Sequence, residues 1–378
     1  MRTPRRPSWL PAAVTLCLIL AGQYGATVSA QDTSKPPGGA PKTAAQQFKN
    51  IQVLKDISAE QLIPSMQFIS ASLGVECDFC HVERQMDKDD KKEKQTARKM
   101  ITMELAINKN HFEGEIEVTC YTCHRGSAHP VGTPILSADA PRPAPHVHDE
   151  AAAGINLPTA GQILDKYLAA TGGADALKKI KTRVQRGTID AMGMQYPIEV
   201  YSQAPDKRVS ISHPKGGSSV TAFNGKAGWL AIPGGSHPMT GPEREGARID
   251  AEFYFPARVR ELYKDFRVLP GEEIAGRATY LVAATAPGRP PLRLFFDQET
   301  GLLLRLIRYT ETPLGRNPVQ IDYADYREID AVKIPYRWTL SRPNGSFTIR
   351  VEQIQQNVPI DEKLFMPPVE RAESGPGH

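Results

Sequence analysis

Two short runs carry residue types at the spacing that attaches haem to protein. Cys77-Asp78-Phe79-Cys80-His81 and Cys120-Tyr121-Thr122-Cys123-His124 both read Cys-x-x-Cys-His. In c-type haem attachment, two thiols add to the two vinyl groups of one porphyrin and the adjacent histidine ligates the iron. The two runs therefore predict two covalently bound c-type haems. The predicted thioether residues are Cys77, Cys80, Cys120 and Cys123, and the predicted proximal iron ligands are His81 and His124.

Two other uses of paired cysteines compete with this interpretation. Four thiolates can hold one zinc ion, but such a site gives no role to a histidine directly after each pair. A thioredoxin-like redox pair opens a helix within a strand-helix-strand pattern, and neither run has that context. Haem attachment accounts for all six residues.

The sixth iron ligands decide between an electron carrier and a catalyst, because only an iron with an open position binds peroxide or a gas. Met66 lies 11 residues before Cys77 in an apolar pattern of helical spacing, which suits a thioether ligand. Packing in the core is the alternative role for this methionine. For the second haem, Met100 and Met103 share one helix face and either can serve. His111 and His129 are further candidates.

Helices precede both runs. Ser58-Ala59-Glu60-Gln61 predicts a capping box, and apolar residues at helical spacing follow as far as Gly74. A second helix is predicted from Ala97 to Ile107, after a charged stretch that we interpret as a solvated loop or helix start. Residues 48–126 are thus predicted to form one mainly helical diheme module in which a helix and a haem motif occur twice.

The N-terminus predicts export. Three arginines precede an apolar run over residues 12–21, and Val28-Ser29-Ala30 ends the segment, as in a secretory signal peptide. Residues 1–30 are this predicted peptide, and residues 31–47 form a Pro/Gly-rich flexible leader. Removing the peptide leaves 43 basic residues against 42 acidic ones, so no basic excess favours nucleic acid as a partner. No segment of the mature chain has the roughly 20 apolar residues of a membrane helix, which predicts a soluble periplasmic or otherwise exported protein.

The second half of the chain has a different character. Residues 127–156 are rich in proline and alanine and predict a linker. From residue 157 to 370, two short helices precede many strand patterns, which predict one antiparallel sheet of about nine or more strands. The expected fold class is multidomain, with a mainly helical cytochrome module followed by an α+β domain that has a large curved antiparallel sheet.

The second motif and its helix resemble a known family. Val118 to Gly126, with the helix Ala97 to Met103 before it, is similar to the cytochrome c subunit of photosynthetic reaction centres, and Leu62 to His81 resembles a second module of that family. The resemblance implies Met66 as the distal ligand of the first haem and favours Met100 over Met103 for the second. It also implies redox protein partners, among them a membrane complex such as a reaction centre. It covers about 80 of 378 residues, and the best-known members have four haem motifs where this chain has two.

The sheet half loosely resembles the half-barrel of periplasmic lipoprotein carriers, which implies docking to lipid or protein. Its large aromatic residues either line such a concave face or form ordinary core: Trp229, Trp338, Phe295, Phe296 and Phe347. Taken together, the sequence predicts an exported diheme c-type cytochrome that carries electrons without substrate turnover. The alternatives are a diheme peroxidase-like oxidoreductase, and a lipid- or partner-binding β domain with haem as a redox accessory.

Overall fold

The computed structural model describes residues 42–130, 157–191, 193–342 and 345–367. The predicted signal peptide, residues 31–41 of the predicted leader and most of the predicted linker lie outside these ranges. From Lys42 onward the chain forms one compact unit. We call residues 42–130 the helical region and residues 157–367 the sheet domain.

The helical region contains five helices: α1 (Ala44–Gln47), α2 (Ala59–Leu73), α3 (Cys77–Cys80), α4 (Lys92–His111) and α5 (Cys120–His124). Helix α2 ends as predicted at Gly74, whose left-handed backbone (φ 66°) closes the helix. The predicted capping box is wrong, because the Ser58 side chain makes no capping hydrogen bond; the Gln61 N–H donates to the Ser58 backbone carbonyl instead. Helix α4 begins five residues before the prediction, so part of the charged stretch is helical.

The sheet domain is built on thirteen strands in one antiparallel sheet, which confirms the predicted fold class. The strand order is β6-β5-β4-β3-β2-β1-β13-β12-β11-β10-β9-β8-β7. The strands are β1 (Thr182–Ala191), β2 (Met194–Gln203), β3 (Lys207–Ser212), β4 (Ser219–Asn224), β5 (Gly228–Ile232), β6 (Gly235–Pro238), β7 (Asp265–Pro270), β8 (Thr279–Thr285), β9 (Leu292–Asp297), β10 (Leu303–Thr312), β11 (Gly315–Ile329), β12 (Val332–Arg342) and β13 (Gly345–Gln356). The edge strands β6 and β7 were not predicted: β6 is exposed throughout and β7 has no fully buried residue, so neither shows an apolar alternation.

Four helices pack on the sheet: α6 (Ala160–Ala170), α7 (Gly173–Lys179), α8 (Gly241–Ala251) and α9 (Phe255–Leu262). One buried cluster joins α7 to the central strands, and a second joins α6, α8 and α9 to β8–β10. A short 3-10 helix, Glu362–Phe365, covers β3 and β4. The five large aromatic residues singled out above are divided among four clusters, so they form ordinary core and do not line one concave face.

The hairpin between β10 and β11 joins the sheet domain to the helical region. Leu314 at its tip is 0% exposed and packs in one cluster with Phe68, Ile69 and Ile101. The neighbouring Gly315 leaves room for the Phe68 ring, since a Cβ there would lie 2.6 Å from the ring tip. The hairpin therefore completes the core of the helical region.

In the part of the chain that the structure describes, no helix has both the length and the apolar character needed to cross a membrane.

Candidate haem sites

The first motif borders a preformed cleft. Cys77 and Cys80 lie on α3, a single helical turn, and Met66 reaches the same cleft from α2. His81 also lines it, so the structure brings together all four residues that the sequence assigned to the first haem. The cleft has a cavity volume of about 120 Å³ and opens to solvent. Its apolar wall is formed by Val53, Leu62, Ile69, Val75 and Ile101.

The His81 ring is oriented by a backbone carbonyl. Its Nδ1 lies 2.9 Å from the Met86 carbonyl oxygen. Because a carbonyl only accepts hydrogen bonds, Nδ1 carries the proton, and Nε2 keeps the lone pair that iron requires. Lys94 holds the same loop by donating to the Met86 and Lys88 carbonyls at 2.9 and 2.6 Å. This support is the kind that fixes a ligating histidine in metal sites.

A charge network anchors the loop beside this cleft. Asp89 accepts two hydrogen bonds from the Arg98 guanidinium, both at 2.9 Å, and lies 3.1 Å from the Lys94 ammonium. The Asn50 amide donates to it as well, at 2.9 Å. Hydrogen bonds from Arg98, Asn50 and Lys94 hold the pKa of Asp89 well below its usual value of 3.8. Lys49, Lys94 and Arg98 line the cleft; Lys94 and Arg98 are engaged by Asp89, so Lys49 is the cation that would be available to a haem propionate.

The second motif forms helix α5 and is positioned by an asparagine of α4. The Asn108 side-chain amide donates to the Val118 carbonyl at 2.7 Å, and its oxygen accepts from the Glu117 and Val118 N–H groups. His124 repeats the geometry of His81, since its Nδ1 lies 2.9 Å from the Ser127 carbonyl oxygen. Both motifs thus present a histidine whose Nε2 is free to ligate.

A buried carboxyl lies against the second motif. The Cys120 thiol donates to Glu104 Oε2 at 2.8 Å, and Glu104 Oε1 is buried without a hydrogen-bond partner. Burial raises the pKa of Glu104 and, together with the Glu104 carboxyl, raises the pKa of Cys120. Burial also raises the pKa of Cys80. One cysteine of each motif, Cys80 in the first and Cys120 in the second, is therefore held as a thiol.

The methionines nominated for the second haem lie on the surface of α4. Met100 is 38% exposed and Met103 is 47% exposed. Met100 lies one turn before Glu104 and so shares the face that contacts Cys120, whereas Met103 is rotated by about 100° from Glu104. The structure brings Met100 to the side of the second motif without placing it in a cleft with Cys120.

The surface of the helical region carries most of the exposed large apolar side chains. Nine of the twelve large apolar side chains that are exposed among the described residues lie in this region: Ile63, Phe79, Met86, Met100, Met103, Leu105, Phe112, Ile116 and Tyr121. Such a concentration marks a binding surface, since soluble proteins scatter their exposed apolar residues. The four cysteines are unpaired, and across residues 42–130 and the rest of the described chain no three His, Cys, Asp or Glu side chains gather as a metal site. The thiols are therefore not arranged around a single zinc ion.

The sequence did not predict three residues that position the motifs or the loop beside them: Lys94, Glu104 and Asn108. Lys94 stood within a charged stretch that was treated as solvated, and Asn108 was placed after the predicted helix. A polar residue among the apolar positions of α4 was the available signal for Glu104.

The residues around these motifs are similar to those of a known family. Residues 22–161 match the family described as "Photosynthetic reaction centre cytochrome C subunit". The cytochrome c subunit of Thermochromatium tepidum is 33% identical over 117 residues, which are 30% of this chain and 27% of that protein. The subunit of Roseobacter denitrificans is 33% identical over 100 residues, 24% of this chain and 27% of the relative. Cytochrome c-554 of Chloroflexus aurantiacus is 33% identical over 85 residues, 21% of this chain and 20% of the relative. The chain thus spans about a quarter of the length of the curated relatives it matches.

Solved structures align with about half of the chain. A DUF1329 family protein from Desulfovibrio piger aligns with a TM-score of 0.38 at 14% identity, covering 55% of this chain and 96% of that one. A putative outer membrane lipoprotein-sorting protein domain from Vibrio parahaemolyticus aligns with a TM-score of 0.39 at 14% identity, covering 54% and 94%. A LolA superfamily protein from Nitrosomonas europaea aligns with a TM-score of 0.37 at 15% identity, covering 56% and 99%.

Proposed function

We propose that this chain is an exported diheme c-type cytochrome that transfers electrons between redox protein partners. The observation that carries the proposal is the repetition of one ligating unit: a Cys-x-x-Cys turn followed by a histidine whose Nδ1 faces a backbone carbonyl. Haem iron, when bound, supplies the one-electron redox step. Cys77 and Cys80 tether one group, Cys120 and Cys123 tether the other, and His81 and His124 offer Nε2 to iron.

The remaining contributions of the protein are distal ligation, burial and charge. In this proposal the Met66 thioether ligates the iron of the first haem and the Met100 thioether ligates the iron of the second. Met103 is the alternative ligand for the second haem. A soft thioether favours the ferrous state and raises the reduction potential. Apolar residues form much of the lining of the first cleft, and Lys49 would offer positive charge to the propionates of the haem.

The family match supports a membrane complex as a partner. The relatives are named as subunits of photosynthetic reaction centres, so donation of electrons to such a complex is one proposed role, and transfer in another periplasmic chain is the other. The sheet domain is proposed to dock the haems to a partner or lipid surface. The buried Leu314 supports this, because it fixes the helical region to the sheet and so keeps the haems at a defined place relative to any bound partner.

A peroxidase-like oxidoreductase is the second candidate, in which neither Met100 nor Met103 ligates the second iron. If neither methionine reaches the second iron, that iron keeps an open position for a small ligand. The optical spectrum separates the two candidates, since a carrier shows two low-spin haems and the oxidoreductase shows one high-spin haem that binds cyanide.

The mass of the purified mature protein tests the proposal. We expect two added haems and a chain that begins near Gln31. The double variants Cys77→Ala/Cys80→Ala and Cys120→Ala/Cys123→Ala should each keep one haem and half of the haem absorbance per protein. A wild-type protein with a single haem, or a double variant that retains both, would refute the diheme assignment.

A further inference from the structure

An open groove lies between the second motif and the sheet domain. It has a cavity volume of about 920 Å³. One wall belongs to the helical region, through Phe68 and Ala71 of α2 and residues 115–121, and the other belongs to the β10–β11 hairpin and the end of β12. Small-molecule sites often lie at the junction of two parts of a protein and have volumes of this order. We call this space the interdomain groove.

The interdomain groove lies beside the residues of the second haem site. Thr119 and Tyr121, which flank Cys120, both line the groove, whereas Cys120, Cys123 and His124 do not. Because a helix turns by about 100° per residue, the two cysteines and the histidine share one side of α5, and Tyr121 projects about 100° from Cys120. The groove is therefore available to a second molecule next to the haem tether.

The two walls of the groove carry opposite charge. Glu311 and Arg316 pair at 3.0 Å and neutralise each other. The other charged lining residues are Glu115 and Glu117 on the helical wall and Arg342 on the sheet wall. A carboxylate accepts hydrogen bonds and a guanidinium donates them. Walls of this kind suit a neutral ligand with two hydroxyl groups, one that donates to a carboxylate and one that accepts from Arg342.

The rest of the lining suits a flat apolar body between those hydroxyl groups. Phe68, Ile116 and Tyr121 line the groove, and Ile116 and Tyr121 are 42% and 56% exposed. Aromatic side chains attract other rings beyond the gain from burial alone. Gln320 and Ser341 also line the groove and are register partners on β11 and β12, so their polar side chains lie together on one face. An aromatic diol matches both sets of residues.

The position beside the haem motifs favours a ligand that donates electrons. The Gly126 N–H, just after the second motif, donates to the Ser72 carbonyl at 2.9 Å, and α2 leads from Ser72 to the first motif. The two proposed haems are thus carried on contacting segments, and each iron accepts one electron. A para-diphenol supplies two electrons at once, because its oxidation to a quinone releases two electrons and two protons.

We propose that the interdomain groove binds a para-diphenol of the hydroquinone class as the electron donor of this protein. Both O–H bonds of the diphenol break and the quinone forms. One electron passes to each ferric iron, and the two protons pass to Glu115 and Glu117 and then to water. Arg342 orients the diphenol by donating to one of its oxygens. This inference rests on the proposed electron-transfer function, since it names the class of donor.

Calorimetric titration of the ferrous holoprotein with hydroquinone measures binding alone, because reduced haems accept no electrons. The dimethyl ether of hydroquinone has the same ring but no hydroxyl donors, and we expect it to bind at least about tenfold more weakly. Arg342→Gln should weaken hydroquinone binding by about threefold to tenfold. Ser341→Trp should fill the groove and abolish binding. Gln353→Trp is the matched control, because Gln353 is an exposed residue of β13 that does not line the groove.

Stopped-flow reduction of the ferric holoprotein tests the electron transfer. With hydroquinone, the rate of haem reduction should saturate with concentration in the wild type and should be much lower in Ser341→Trp. Hexaammineruthenium(II), a small reductant that needs no binding site, should reduce both proteins at the same rate. Circular dichroism and haem absorbance report folding. If Ser341→Trp does not fold, Ala71→Trp on the opposite wall replaces it.

Three results would overturn the inference: equal affinity for hydroquinone and its dimethyl ether, unchanged hydroquinone affinity in Ser341→Trp or its substitute, or a reduction rate that does not saturate with hydroquinone. In each case, two haems by mass and reduction by hexaammineruthenium(II) would leave the proposed electron-transfer function intact. A wild-type protein without two haems would instead refute that function, and calorimetry would still report whether the groove binds hydroquinone.

Discussion

The helical region and the sheet domain hold themselves together by different means. The sheet domain has two large buried clusters, of fourteen and thirteen residues. The described part of the helical region has one cluster of five buried residues, and one of them, Leu314, is contributed by the sheet domain. The same region carries most of the exposed large apolar side chains. The comparison teaches that the helical region has a small core of its own and draws stability from the hairpin, to which the proposed haems would add.

The largest expected effect is that of shortening the shared core residue. Leu314→Ala removes a fully buried side chain and should lower the free energy of unfolding of the helical region by about 3–5 kcal/mol. Denaturant titration followed by haem absorbance reports this region, and fluorescence of Trp229 and Trp338 reports the sheet domain. Leu105→Ala, a partly exposed site on α4, serves as control and should change little. Equal loss in both signals would mean that the two regions unfold as one and share their stability.

The second effect concerns the contact between Gly74, which precedes the first motif, and Gly126, which follows the second. Gly74 has φ 66°, and a Cβ there would collide with the Gly126 carbonyl oxygen just after the second motif. Gly74→Ala should therefore destabilise the helical region by about 2–4 kcal/mol, from backbone strain and the displaced contact together. Gly114→Ala is the matched control: its φ is +90°, but no atom lies within 4 Å of the added Cβ, so only about 1 kcal/mol should be lost. If the two variants lose the same amount of stability, the close contact between Gly74 and Gly126 contributes nothing.

The same contrast explains how far the sequence could be interpreted. In the sheet domain, the many strand patterns predicted one large antiparallel sheet, and the structure contains that sheet. Helices α8 and α9 were not predicted because each carries several charged residues; Phe255, Val259 and Leu262 of α9 lie at helical spacing and were the available signal. The strand order across β1 and β13 depends on pairing between distant segments.

In the helical region, local spacing predicted the cysteines and histidines of the two motifs. It did not predict the residues that position them. The Cys-x-x-Cys-His runs need only five adjacent residues each. The carbonyl of Met86, the burial of Glu104 and the insertion of Leu314 arise from tertiary contacts. The predicted capping box at Ser58 was wrong for a related reason. Thr43 forms a β-bridge with Ser58, and the Ser58 backbone carbonyl accepts the hydrogen bond from the Gln61 N–H.

The third effect compares the distal sides of the two proposed haems. Met66→Ala should lower the reduction potential of one haem by on the order of 0.1 V, within the ~0.8 V range that axial ligands set, and abolish its thioether–iron charge-transfer band. This equals about 2.3 kcal/mol of redox free energy. Met100→Ala should act on the other haem alone. Spectroelectrochemical titration measures both potentials. If Met66→Ala leaves both unchanged, Met66 is a core residue, and if Met100→Ala does so, Met103→Ala is the next variant.

The smallest effect concerns the charge network that Asp89 forms with Arg98, Lys94 and Asn50 beside the first cleft. Because the folded-state pKa of Asp89 lies below the unfolded value of 3.8, its contribution to stability is present above that pH and is lost as the pH falls through and below it. Asp89→Asn should therefore lower stability at pH 7 and flatten the acid limb of the haem-detected unfolding profile. Glu104 acts in the opposite sense, because its raised pKa makes the stability fall as the pH rises above 4.5. The change in stability below pH 3.8 therefore reports Asp89 and not Glu104. Asp325→Asn is the control: Asp325 pairs with Arg327 in the sheet domain and should leave the haem-detected profile unchanged. An unaltered acid limb in Asp89→Asn would show that the loop holding Met86 does not need this network.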